Sequence, residues 1–139
     1  MRQDYDSEVH LFPSTEPFDK GMFEINGHQI YYEQCGNPIG TPMLFLHGGP
    51  GAGCSPSHRR LFDPVKYRVI FIDQRGCGRS KPYASLEDNT TDDLIFDIEH
   101  LRNLLNIKSW ALFGGSWGST LALAYTIACP ARVTGLILR

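Results

Sequence analysis

Gly114-Gly115-Ser116-Trp117-Gly118 lies between a short apolar run, Trp110 to Phe113, and a helix-forming run, Thr120 to Ala128. This is the pattern of a strand, a sharp turn and a helix with a serine at the apex. Glycines two residues before and two after the serine let the backbone reverse tightly, which lifts the hydroxyl clear of the strand end. Ser116 is therefore a candidate nucleophile, with Gly114 and Gly118 as the residues that permit the turn. The pentapeptide alone does not separate catalysis from an ordinary glycine-rich turn, so its surroundings decide.

A second strand ends the same way. Met43-Leu44-Phe45-Leu46 reads as a short buried strand and runs into His47-Gly48-Gly49-Pro50-Gly51. A backbone N–H in such a loop, together with the N–H of the residue after the serine, forms an oxyanion hole for the tetrahedral intermediate of acyl transfer. Gly48 or Gly49 supplies one donor and Trp117 the other. Each pre-aimed donor contributes roughly 3 to 4 kcal/mol to the transition state, and glycine lets the backbone approach closely.

Further segments accompany these two: Gly53-Cys54-Ser55-Pro56, Arg60-Leu61-Phe62-Asp63-Pro64, Tyr67-Arg68-Val69, Asp73-Gln74-Arg75-Gly76-Cys77-Gly78-Arg79-Ser80, Asn89-Thr90-Thr91 and Ser119 after the elbow. With HGGPG and GGSWG they make the chain resemble the proline iminopeptidases of the α/β-hydrolase superfamily over residues 12 to 139. Asp92 stands where that pattern has tryptophan; an acid is favourable near a helix start. The resemblance implies a serine peptidase that releases N-terminal proline from peptides through an acyl-enzyme. It implies no cofactor, carboxylates in a cap that recognise the substrate amine, and a strand order 1-2-4-3-5-6 with the sixth strand at an edge. The alternatives are an esterase or amidase of the same fold and a non-catalytic hydrolase-fold binding protein.

Triad order in this fold is Ser, then Asp or Glu, then His, yet residues 117–139 contain no Asp, Glu or His. The chain has 139 residues, and a hydrolase of this kind with its cap needs about twice that. The expectation is an N-terminal half of an α/β-hydrolase fold, truncated after about strand six. Residues 1–20 form an irregular lead-in and residues 21–139 the N-terminal part of the domain. Such a piece alone is expected to be inactive and to pair or aggregate through its edge strand.

A net charge of −2 and a pI near 6.2 give no electrostatic case for nucleic acid. The N-terminus lacks the apolar stretch of a signal peptide, and no apolar run approaches the roughly 18 residues of a membrane span. A cytoplasmic protein is expected, of unspecified oligomeric state. Cys35, Cys54, Cys77 and Cys129 contain no CxxC pair, which argues against zinc and a redox dithiol; no metal is expected. Cys54 and Cys77 fall in the two loops nearest Ser116, as packing residues or as lining of the pocket entrance.

The remaining elements alternate. Gly21 to Ile25 and Gln29 to Cys35 read as strands around an Asn26-Gly27 hairpin turn. An irregular or short helical piece spans Ser55 to Phe62. Strand Arg68 to Ile72 has a continuous apolar centre that suits cover by helices on both faces. Thr90 and Asp93 resemble a capping box, and Leu94, Ile95, Ile98, Leu101, Leu104 and Leu105 repeat at helical spacing. Strand Trp110 to Phe113, helix Trp117 to Cys129 and strand Val133 to Leu138 follow. The pattern predicts a mostly parallel sheet flanked by helices.

His47 precedes Ser116, the wrong order for a base, and reads as a brace for its loop. Pro50, Gly51, Asp73, Gln74 and Arg75 read likewise as support for the site loops. His10, His28, His58 and His100 fall outside any catalytic pattern. Arg59 and Arg60 read as solvent-facing or loop-pairing charges. Neither glycine loop satisfies a phosphate-binding pattern.

Overall fold

A computed structural model describes residues 10–139. Residues 1–9 of the expected lead-in lie outside them, and residues 10–17 carry no regular secondary structure. The chain then builds β1 (Asp19–Ile25), β2 (His28–Gly36) and β3 (Thr41–Leu46), a 3-10 turn over Pro56–Leu61, β4 (Tyr67–Ile72), α1 (Thr91–Leu104), β5 (Trp110–Gly114), α2 (Trp117–Ala128), a short 3-10 turn at Pro130–Arg132, and β6 (Val133–Leu138).

These strands form one six-stranded sheet in the order β1-β2-β4-β3-β5-β6. β1 and β2 pair with their neighbours antiparallel, and β4, β3, β5 and β6 run parallel to one another. Asn26 and Gly27 both have positive φ, at 49° and 78°, as a two-residue hairpin turn matched to strand twist requires.

The two-residue period of β3 divides the core. Leu44 and Leu46 join Ile70, Ile72 and Leu112 against α1 and α2, while Met43 and Phe45 join Val69, Phe71 and Phe62 on the opposite face. Each such fully buried aliphatic side chain contributes about 1.5–3 kcal/mol. The second face differs from expectation. Among the described residues it is covered by the Pro56–Phe62 segment and by stacked rings, Phe45 on Phe113 at 5.5 Å and Phe62 edge-on to Phe113 at 5.3 Å. A continuous apolar run reports burial but not the element that buries it.

α1 starts as its sequence dictates. Thr90 Oγ1 accepts from the Asp93 N–H, and the Asp93 carboxylate accepts from the Thr90 N–H at 2.9 Å. Asp92 sits exposed in the same first turn. Leu94, Ile98 and Leu101 face the sheet, and so does Asp97, a polar residue inside the apolar stripe. At the other end of the sheet β6 is an edge, with Leu136, Ile137 and Leu138 exposed. No described helix is long and apolar enough to cross a membrane.

Candidate active site

β3 and β5 are parallel neighbours, so the loops that follow them emerge at the same edge of the sheet. That is where open α/β sheets place their sites. Ser116 stands on the turn between β5 and α2 at φ 54° and ψ −120°, a conformation that costs a non-glycine residue about 1–3 kcal/mol. Its side chain is exposed. The turn is held by close backbone approach: a Cβ on Gly114 would strike the Gly118 carbonyl, and one on Gly118 would strike the Leu46 carbonyl. Both glycines are buried.

Gly48 lies directly against this turn. A Cβ there would come within 2.9 Å of the Gly115 oxygen and 3.1 Å of the Ser116 Cβ. Gly49 follows at φ 123°. The backbone N–H groups of Gly48, Gly49 and Trp117 have no hydrogen-bond partner among the described residues. Trp117 opens α2, whose first amides have no intrahelical acceptor and carry the positive end of the helix dipole. A cleft of about 440 Å³ opens beside Ser116, walled by Phe45, Gly48, His58, Leu61 and Phe113. Pro50 and Gly51 sit on the exposed crest of the loop and do not line this cleft.

His47 is 1 % exposed. Two backbone N–H groups face its ring, that of Gln74 at Nε2 (3.0 Å) and that of Gly53 at Nδ1 (3.2 Å), and Nδ1 also lies 2.9 Å from the Gly48 oxygen. A ring proton on Nδ1 satisfies the two shorter contacts, with Nε2 accepting from Gln74 and Nδ1–H donating to Gly48. Burial pushes its pKa below the usual value, against the opposing bond to Gly48. It is a neutral ring with both nitrogens engaged in holding the loop.

Asp73, fully buried, holds the far side. Its Oδ1 accepts the Cys54 N–H at 2.8 Å, and its Oδ2 accepts the backbone N–H and Nε–H of Arg79 at 2.9 and 2.8 Å. Burial pushes the carboxyl up, but the bonds from Arg79 and Cys54 outweigh it and keep the group below its ordinary value. Arg79 stacks over the Tyr31 ring at 3.8 Å and reaches Glu33 at 3.3 Å. Arg75 is also fully buried, but it ties its loop to α1 through two bonds to Asp97, at 2.7 and 2.8 Å, and does not line the cleft at Ser116.

The structure decides between alternatives at Arg59, Cys54 and Cys77, and adds a feature at His58. Arg59 is not solvent-facing: it is buried and makes a two-pronged pair with Glu33, at 2.8 and 3.0 Å. A planar guanidinium matched to a carboxylate is the form in which arginine enters an interior. His58, outside any catalytic pattern, forms part of the cleft wall. Its Nδ1 accepts the Ser55 N–H at 3.0 Å, its ring packs on Phe45 at 4.6 Å, and burial lowers its pKa. The Ser-x-x-His spacing, in the place of a capping box, is the signal that could have found it. Of the two readings of Cys54 and Cys77, packing holds: neither lines the cleft at Ser116. They donate to the Ile72 and Arg75 carbonyls, and burial raises both thiols.

Among the described residues no three His, Cys, Asp or Glu side chains gather as a metal site. The chain is 56% identical to a proline iminopeptidase of Neisseria meningitidis over 93% of its own length and 42% of that protein. It is 55% identical to a proline iminopeptidase of Arabidopsis thaliana over 93% of its length and 34% of that protein. It thus spans less than half the length of these curated relatives. A crystal structure of a proline iminopeptidase-related protein from Thermus thermophilus superposes with a TM-score of 0.75 at 31% identity, over 86% of this chain and 43% of that one. The family model for the alpha/beta hydrolase fold matches residues 41–139, and the chain belongs to that family.

Proposed function

We propose that the full-length protein is a serine aminopeptidase that releases N-terminal proline from peptides. The observation that carries this reading is Ser116, exposed on a strained turn beside the unpaired amides of Gly48, Gly49 and Trp117, in a chain more than half identical to proteins named proline iminopeptidase. Ser116 Oγ attacks the prolyl carbonyl carbon, and its proton passes to a histidine general base. The Trp117 amide and a glycine amide of the loop hold the oxygen that becomes negative. The leaving amine takes the proton from the histidine, and water then hydrolyses the prolyl ester. This reading places the histidine, its orienting acid and the carboxylates that bind the substrate amine in the region that the relatives carry beyond the matched segment.

The test compares prolyl and alanyl arylamides with a simple ester on the full-length protein. Preference for the prolyl arylamide supports the peptidase reading. Preference for the ester makes the protein an esterase of the same fold, and no turnover of any of the three leaves a binding protein. Ser116→Ala should remove fluorophosphonate labelling and lower kcat by about 10⁴-fold or more; persistent labelling would move the nucleophile elsewhere.

A further inference from the structure

Gln74, on the turn after β4, is 4 % exposed and bonds in three directions. Its backbone N–H donates to His47 Nε2 at 3.0 Å, and its side-chain Nε2–H donates to the His47 carbonyl oxygen at 3.0 Å. Its Oε1 accepts the indole N–H of Trp117 at 3.0 Å. The last two bonds settle which way the amide faces. An indole can only donate and a carbonyl can only accept, so the flipped amide would oppose like groups at both ends.

One planar group therefore spans the two segments that carry the candidate oxyanion donors. A peptide unit is rigid and its C=O and N–H point in opposite directions. Fixing the His47 carbonyl on Gln74 thus aims the Gly48 N–H the other way. The same logic runs one residue on: Gln74 holds the His47 ring through Nε2, the ring's Nδ1–H holds the Gly48 carbonyl at 2.9 Å, and the Gly49 N–H is aimed in turn. At the far end the indole bond ties down the side chain of Trp117, whose own amide heads α2.

We propose that Gln74 is a positioning residue for the oxyanion site, fixing the separation and direction of the loop and helix amides without touching substrate. The proposal rests on the serine-hydrolase reading of Ser116. The residue type follows from the chemistry, because the position needs a donor and an acceptor on one uncharged planar group of glutamine's reach. A carboxylate there would face the His47 carbonyl with like charge, and an isosteric thioether would lose both bonds.

The experiment uses the full-length protein, with kcat counted per fluorophosphonate-labelled serine so that loss of folded enzyme does not enter. Gln74→Met should lower kcat by about 10- to 100-fold while KM stays within about twofold, since the lost alignment matters only where charge develops. Affinity for a proline-derived aldehyde, which forms a tetrahedral adduct on Ser116, should fall in parallel, and inhibition by pyrrolidine, which has the ring amine but no carbonyl or carboxylate, should not change. Trp117→Phe removes only the indole donor, gives a smaller fall of the same kind, and serves if Gln74→Met does not fold. Gln74→Glu adds a pH signature: protonation of the introduced carboxyl at low pH restores a donor to the His47 oxygen. Its kcat relative to wild type should therefore rise as pH falls. Unchanged kcat per labelled serine in both Gln74→Met and Trp117→Phe, or parallel loss of aldehyde and pyrrolidine affinity, overturns the proposal. Failure of the serine-hydrolase reading shows separately, as a wild-type protein without Ser116-dependent turnover or labelling.

Discussion

The two glycine-rich loops that meet at Ser116 are held in shape by different physics. The elbow between β5 and α2 is a local, steric object: Gly114 and Gly118 are there because backbone occupies the space a Cβ would need. The loop after β3 is packed at Gly48 and Gly49, where a Cβ would meet the Gly115 oxygen and the Gly51 nitrogen, and is suspended beyond them. At Gly51 a Cβ would meet nothing within 4 Å, and the loop keeps its course because His47, Asp73 and Gln74 hold it through bonds spanning 19 to 27 residues of sequence. Van der Waals exclusion does not titrate, and at Gly118 it acts through backbone of the sheet itself, the Leu46 carbonyl. A side-chain suspension does titrate, and it depends on particular side chains far off in sequence.

Glycine replacement breaks the comparison most severely. Gly118→Ala drives a methyl into the Leu46 carbonyl at the centre of the sheet, and the expected cost exceeds about 5 kcal/mol, enough to abolish folding. Gly51→Ala has free space and pays only for its φ of 105°, about 1–3 kcal/mol. Soluble yield and chemical melts of the two full-length variants check this. A folded Gly118→Ala protein would mean that the elbow yields more readily than its contacts imply.

The suspension is next. Asp73→Ala leaves the Cys54 and Arg79 amides without their acceptor and removes one of two carboxylates facing Arg79. Arg79 is 40 % exposed and keeps Glu33, so the cost comes mainly from the two orphaned amides, about 1–3 kcal/mol each, measurable by urea unfolding.

Acid should dismantle the same network selectively. Asp73 and Glu33 both titrate below their ordinary values of 3.8 and 4.5: burial raises each, but guanidinium partners outweigh it. A depressed carboxylate contributes stability that is complete above its ordinary value and is lost as pH falls through the lower, folded-state value. Each such group bends the stability curve by up to about 1.4 kcal/mol per pH unit. His47, kept neutral by burial, adds a loss that begins below 6.5 and is complete once pH has fallen through its lower folded value. Hydrogen exchange followed from pH 7 down to about pH 2, below the ordinary values of both carboxyls, should therefore loosen the Cys54 amide well before the Gly118 and Ser119 amides of the elbow. Equal loosening of both would contradict the distinction.

The same distinction explains what the sequence disclosed. The elbow was legible because its sequence pattern lies within five residues, even though one of the contacts that demands Gly118 comes from Leu46 on β3. The hairpin at Asn26-Gly27 and the Thr90–Asp93 cap were legible because they too are short local patterns. The parallel strands were legible as apolar runs, and their order came from the family resemblance. The suspension was legible only as a set of loop-supporting residues. Nothing near Arg59 in sequence announces Glu33 on β2 as its partner, and nothing near Gln74 announces Trp117, 43 residues on. His58 escaped because its place in the cleft wall depends on how the Pro56–Leu61 turn lies across Phe45. Long-range polar pairs have no periodicity, so only the folded chain displays them.

The smallest expected effect concerns the strain that the elbow stores at its apex. Ser116 has φ 54° and ψ −120°, a region that glycine enters without penalty and other residues at about 1–3 kcal/mol. Glycine's greater freedom in the unfolded chain gives back up to about 1 kcal/mol. Ser116→Gly should therefore stabilise the full-length protein by about 1 kcal/mol while removing the proposed nucleophile. Ser116→Ala keeps the strained backbone and should leave stability nearly unchanged while equally removing activity. The pair separates strain from chemistry, because both variants lack the hydroxyl and differ only in the Cβ. If the two melt together, the turn carries no strain and the elbow, like the loop, is held by its neighbours. If only Ser116→Gly melts higher, the protein holds its serine in an unfavourable conformation that the rest of the fold sustains.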